Sequence, residues 1–290
     1  MCELLAMSAS MPTDLGTSLD LFRARGGNLS SHEDGWGIAV YEGRAARIYK
    51  EPKPASSSRL FASLRDYDTA GRVILAHLRK ANPSATGQSY ANTHPFEREV
   101  AGRSWTFAHN GRLPGIDREP LVSFRPIGRT DSEHAFCCLL DHIKSSGTED
   151  GEIVDLDLVL DQVVRATSLL NRYGEMNYLL SNGEYLFVHT HTYVHMVDRR
   201  CLVDGQRQSV VIIATQPLTD DENWSCLVPN TVTVFQRGET VAQKATSGGA
   251  SQEAWETQRN EAERFKIRKA EAAANAARME AEKDMYWECS

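Results

Sequence analysis

The chain has 290 residues, 41% of them hydrophobic and 24% charged, with a formal net charge of −7. That length buries a sizeable core in one or two domains, and the composition is that of an ordinary soluble globular chain. The acidic balance argues against a nucleic-acid partner, and no apolar run approaches the roughly 20 residues that cross a bilayer, so no membrane partner is expected.

The opening "MCELLA" has no basic segment and only a short apolar run, so it does not read as a secretory signal, nor as the leader of a lipidated cysteine. It reads as a first strand with Cys2 at its head. Six cysteines fall at positions 2, 137, 138, 201, 226 and 289, without a CxxC pair. That spacing suits neither structural zinc nor a disulfide framework and predicts a reducing, cytoplasmic setting with buried thiols everywhere but Cys2.

A polar stretch runs from Ser8 to Asp34, with one short helix near Leu19 to Arg25. "WGIAVYEGRAARIYK" predicts a hairpin turning at Glu42-Gly43. "RVILAHLRKA" predicts a strand on which His77 and Arg79 share a face. "RSWTFAHNG" is a third strand, stopping at Asn110-Gly111. In "RTDSEHAFCCLLDHI", Thr130 and Glu133 have capping-box spacing ahead of an apolar helix. "VDLDLVLDQVVRATSLLNRY" predicts a second helix, and "MNYLLSNGEYLFVHTH" a hairpin about Asn182-Gly183. "SVVIIAT" and "TVTVFQRGE" add strands, which gives layered α+β rather than alternating βαβ.

The tail differs. From Gln252 to Tyr286 it is rich in Ala, Glu, Lys and Arg without Gly or Pro, which favours helix. Phe265, Ala272, Met279 and Tyr286 lie seven apart, but Lys269 and Lys283 weaken a coiled-coil seam. The expected division is a domain over 1–247 and a charged helix over 248–290, packed on the body or on a partner; homo-oligomerisation stays open.

Removal of Met1 would leave Cys2 with a thiol and a free α-amine on one residue. Such an amine titrates near about 8, low enough to act as the base for its own thiol. With Met1 retained, the nitrogen is an amide and accepts no proton. Asn110 and Gly111 form either a simple hairpin turn, the commoner reading, or a pair of oxyanion donors. Arg79 could fork onto a carboxylate or make a surface salt bridge. Asp131 could pair with an ammonium or cap its helix. Asp220, Asp221 and Glu222 read as a solvated loop, with Glu222 holding it by hydrogen bonds.

Cys2, "EDGWGIAVY", "AHLRKAN", "NTHPF", "FAHNGRL" and "RPIGRTDSE", in this order, resemble the class II glutamine amidotransferases, members of the N-terminal-nucleophile hydrolases. The likeness spans about residues 2–235 and is greatest to stand-alone members. It implies a four-layer αββα sandwich of two antiparallel sheets. It implies Cys2 as nucleophile, Asn110 and Gly111 as oxyanion donors, Arg79 on glutamine's α-carboxylate and Asp131 on its α-ammonium. Thr93 and His94 become substrate contacts, His94 as general base being the less favoured role. The implied reaction hydrolyses glutamine to glutamate and ammonia through a thioester, with no metal or organic cofactor; ammonia transfer would require a separate synthase subunit. Hydrolysis of another γ-glutamyl amide or peptide, and a silent glutamine-binding scaffold, are the alternatives. Asn82 departs from the small hydroxylated residue that many members carry there.

Overall fold

The computed structural model describes residues 2–67, 69–81, 87–144, 148–149, 152–203 and 205–249. Asn82 and the segment expected to form the C-terminal helix lie outside the described residues. In chain order the first elements are β1 (Glu3–Thr13), α1 (Thr17–Arg25), β2 (Gly35–Glu42), β3 (Ala45–Glu51), α2 (Arg59–Ser63), β4 (Gly71–Arg79) and β5 (Phe96–Val100). Next come β6 (Arg103–Arg112), α3 (Asp131–Ile143), β7 (Thr148–Glu149), β8 (Glu152–Ile153), α4 (Leu156–Leu170), β9 (Glu175–Ser181) and β10 (Tyr185–Thr190). The last are β11 (His195–Val203), β12 (Gln206–Ala214), β13 (Ser225–Cys226), β14 (Thr231–Gln236) and β15 (Glu239–Ala245).

Two antiparallel sheets hold nearly all the strands. One runs β13-β11-β12-β1-β4-β2-β3 and the other β15-β14-β10-β9-β6-β5, while β7 and β8 form a small ribbon of their own. Side chains two apart on a strand share a face, and this period sorts the apolar residues into three cores. Leu4, Ala6, Ala39, Val73 and Leu75 of the first sheet meet Ala108, Leu179, Val188 and Phe235 of the second. Their neighbours Leu5, Met7, Trp36, Ile38, Ile74 and Ala76 turn outward against Phe22 of α1 and Phe61 of α2. Trp105, Phe107, Tyr178 and Phe187 turn outward under Phe136 of α3 and Val163 of α4. Three cores between four layers is the αββα sandwich. Among the described residues no helix is long and apolar enough to cross a membrane.

The helices start where their caps dictate. Thr130 accepts the Glu133 N–H at 3.1 Å, and Asp155 accepts the Leu158 N–H at 2.9 Å. The capping box at α3 is only half formed. Glu133's carboxylate accepts the N–H groups of Ile127 (3.0 Å) and Gly128 (2.6 Å) and pairs with Arg98 at 2.6 Å, so it ties down the preceding loop instead.

Two expectations are corrected. Asn110-Gly111 is not a hairpin turn: both residues lie inside β6, paired with Asn177 and Met176 of β9. The chain leaves β6 for a long connection to α3, and the strand that pairs with it there, β9, returns only after α3 and α4. The stretch after Met7 is less irregular than its polarity suggests, because Ser8 and Ser10 are strand residues whose hydroxyls accept backbone N–H groups of Gly238 (3.1 Å) and Ser209 (3.0 Å).

Candidate active site

β1 lies between β12 and β4 in the first sheet, so both edges of the first strand are hydrogen-bonded. Glu3 faces Leu78 and Leu4 faces His77, a register that carries Cys2 to Arg79. The Cys2 sulfur accepts the Lys80 N–H at 3.3 Å and donates to the Lys80 carbonyl at 3.6 Å. By the same alternation that turns Leu4 and Ala6 inward, Cys2 belongs to the inward face, toward the second sheet.

Arg79 shares that inward face with Val73, Leu75 and His77. It is 4% exposed, and its Nη1 donates to the Asp34 carbonyl at 3.5 Å. Asp34 in turn receives the Ala81 N–H (2.8 Å) and the Gln88 amide (2.9 Å). From the second sheet Asn110 projects on the same side of β6 as Thr106 and Ala108. It is 5% exposed, and its Oδ1 has no hydrogen-bond partner among the described residues. Its backbone is held, because the carbonyl accepts the Asn177 amide at 3.4 Å. Gly111 tolerates no side chain: a Cβ would stand 2.0 Å from the Glu175 carbonyl.

Asp131 is the first residue of α3. Its carboxylate accepts the Leu113 N–H and the Ser132 N–H, each at 2.8 Å, so it is fixed by backbone amides and sits at the positive end of the helix. Burial pushes the Cys2 thiol up; the Lys80 hydrogen bond and the Arg79 charge oppose this, while the Asp131 charge adds to it. Burial thus favours the neutral form of the Cys2 thiol.

Three buried imidazoles lie behind these groups. His77 Nε2 lies 3.2 Å from the His109 carbonyl, which only accepts, so Nε2 carries the proton; this bond crosses between the sheets. His109 Nε2 likewise donates to the Glu175 carbonyl at 3.2 Å, leaving Nδ1 to accept the Ser132 hydroxyl at 2.9 Å. Burial lowers His77 to about 3 and lowers His94 and His109 as well, so all three are neutral.

Thr93 and His94 do not present their side chains to solvent. The Thr93 hydroxyl donates to the Ser89 carbonyl at 2.8 Å and packs on Gly35. The His94 ring lies between His77 and Phe96, at centroid distances of 4.2 and 4.4 Å. Lys50 braces this turn by donating to the carbonyls of Thr93 (2.7 Å) and Pro95 (3.1 Å), and burial pushes it down to about 8. In sequence Lys50 looks like any lysine on an exposed hairpin strand, and only the tertiary packing gives it this task. Glu3 is equally silent in sequence: it is buried, with Arg25 at 3.1 Å, and Arg25 also holds the Pro217 carbonyl at 2.5 Å. In the expected acidic loop, Glu222 binds Arg199 at 2.6 and 2.8 Å.

Residues 1–260 match the family model of the class-II glutamine amidotransferases. The chain belongs to that family. It is 37% identical to YafJ of Escherichia coli strain K12 over 258 residues, covering 83% of this chain and all of that one. A gamma-glutamyl-hercynylcysteine sulfoxide hydrolase of Mycobacterium tuberculosis is 28% identical over 210 residues, 72% of this chain and 78% of its own. The crystal structure of a predicted glutamine amidotransferase from Pseudomonas aeruginosa PA01 superposes with a TM-score of 0.64 at 34% identity, covering 83% of this chain and all of that one. The two facing antiparallel sheets are the α+β sandwich of the N-terminal-nucleophile hydrolases.

Proposed function

We propose that this amidotransferase domain hydrolyses the side-chain amide of glutamine with Cys2 as an N-terminal nucleophile. The observation that carries this is the meeting, at one end of the sandwich, of the Cys2 thiol with Arg79 from the adjoining strand. The facing sheet supplies Asn110 there, 5% exposed and on the inward side of β6.

Once Met1 is removed, the α-amine takes the thiol proton and the sulfur adds to the amide carbon. Arg79 grips the α-carboxylate and Asp131 the α-ammonium, which makes the attack effectively intramolecular. The oxyanion is met by the Asn110 amide N–H and the Gly111 backbone N–H. The ammonium of Cys2 returns its proton to the leaving nitrogen, ammonia departs and a γ-glutamyl thioester remains. Water, deprotonated by the same amine, then cleaves the thioester to glutamate and regenerates the thiol. Thr93 and His94 serve this reading as packed wall, with their backbone braced by Lys50.

The likeness to the mycobacterial hydrolase favours a second reading, in which the same centre releases an amine from a larger γ-glutamyl amide. Kinetics with free glutamine against γ-glutamyl amides separate the two. The test of the shared chemistry uses native protein, the mass of its mature N-terminus, and labelling with 6-diazo-5-oxo-norleucine. One adduct on residue 2, lost in Cys2→Ser together with turnover, is the expected result. Undiminished turnover in Cys2→Ser, or an active chain that keeps Met1, would sink the proposal.

A further inference from the structure

The far end of the sandwich carries a second constellation, which the amidase chemistry does not use. Arg72 is the second residue of β4 and Arg79 its last, so seven residue steps of extended strand, roughly 23 Å, separate them. There a cleft of about 220 Å³ is lined by Arg44, Arg72, Arg103 and Arg237, with Glu184 and Gly183 beside them. We propose that this cleft binds a small phosphate-bearing anion.

The charges are unbalanced in favour of an anion. Arg103 pairs with Glu152 at 2.7 Å and lies 3.8 Å from Glu184, and Arg44 also reaches Glu152, at 3.2 Å. Arg72 and Arg237 are exposed and make no ion pair among the described residues. Four guanidinium groups thus face two carboxylates, which leaves two positive charges for a ligand to neutralise. Burial and the neighbouring Glu152 hold the Glu184 carboxyl above its ordinary range, which weakens the acidic side further.

Arg103 supplies the independent sign of a binding site. Its side chain is only 9% exposed, yet its Nε is buried without any hydrogen-bond partner among the described residues. A buried guanidinium N–H left unpaired is costly, and an oxyanion that draws the Arg103 guanidinium toward the cleft would answer it. The walls are rigid before any ligand arrives. The Tyr41 hydroxyl of the first sheet bonds the Ser181 carbonyl at 2.6 Å and the Thr106 hydroxyl at 2.9 Å in the second. Ser104 N–H donates to the Arg44 carbonyl at 2.9 Å, and Gly238 N–H to Ser8 at 3.1 Å, which fixes the turn bearing Arg237. A doubly charged phosphate matches two uncompensated guanidinium groups, whose planar forks suit its oxygens.

The test titrates inorganic phosphate into the full chain at constant ionic strength, by calorimetry and by the 15N-resolved Nε–H resonance of Arg103. Saturable binding near or below about 1 mM, with a shift of that resonance, is expected. Arg72→Ala combined with Arg237→Ala should weaken binding at least about tenfold while circular dichroism stays unchanged, and Arg79→Ala should leave it intact. The proposal is overturned by the absence of saturation at about 50 mM, by binding that survives the double substitution, or by binding lost only in Arg79→Ala. Retention of the chain by phosphatidate vesicles, with no response to free phosphate, would equally overturn it in favour of a lipid headgroup.

Discussion

Asn110 and Arg79 divide the proposed work at the level of single side chains, and their substitutions should separate in kinetics. Asn110→Ala removes a donor needed only as the oxyanion forms, so kcat should fall by about 10²–10³ with KM little changed. Arg79→Ala removes a grip present in ground and transition states alike, so KM for glutamine should rise at least about tenfold. Steady-state kinetics on both variants checks the division, and an exchange of the two phenotypes refutes it. Gly111→Ala should be worse than either, because its Cβ would stand 2.0 Å from the Glu175 carbonyl and 2.7 Å from His109 Nε2. Stability and turnover should drop together there, read as Tm and kcat. At this scale the sequence is informative where a period decides: alternation alone puts His77 and Arg79 on one face. It is ambiguous at Asn110-Gly111, since a turn and a pair of strand donors have the same two letters. The distinction lies in the chain beyond Gly111, which runs through α3 and α4 before β9 returns beside β6.

Among elements, the approach to α3 is the most tightly tied. Glu133 is 1% exposed and gathers the backbone of Ile127 and Gly128 together with Arg98. Glu133→Ala leaves these groups without their acceptor and should cost about 3 kcal/mol, read from the urea midpoint. Thr130→Ala, which removes only the cap, should cost about 1 kcal/mol. Asp131 sits between these two residues, so the larger loss should also raise KM for glutamine. The capping spacing announces where the helix begins, while the destination of the Glu133 carboxylate depends on a loop that no local rule fixes. The same limit explains the strands that pattern reading passes over. β15 is an edge strand with mostly exposed residues, and β5 comes directly after the "NTHP" turn. Neither shows the apolar alternation of a half-buried strand, because each has a neighbour on one side only.

For the molecule as a whole, three apolar layers account for the stability, and the imidazoles enclosed within them set its acid limit. His77 and His189 are lowered to about 3 by burial, against an ordinary value near about 6.5. Below that ordinary value the unfolded chain binds protons that the folded chain refuses. Stability is therefore full above about pH 6.5 and declines as the pH falls toward about 3. Between about pH 6.5 and 5 each of these two residues should remove roughly 2 kcal/mol. Denaturant titrations at the two pH values measure it, and a flat profile would show that these rings protonate without unfolding. The layered architecture is legible from the order of strands and helices; which sheet each strand joins is not, since pairing spans most of the chain. β1 illustrates the consequence. Its Leu4 N–H donates to the Thr215 hydroxyl, 211 positions away, and its neighbour β12 begins only at Gln206. The ribosome therefore releases Cys2 early, and the strand that seats it stays half-paired until nearly the whole domain has been made. A nascent chain carries Cys2 unseated, and the late arrival of β12 acts as a built-in delay on completion of the proposed site.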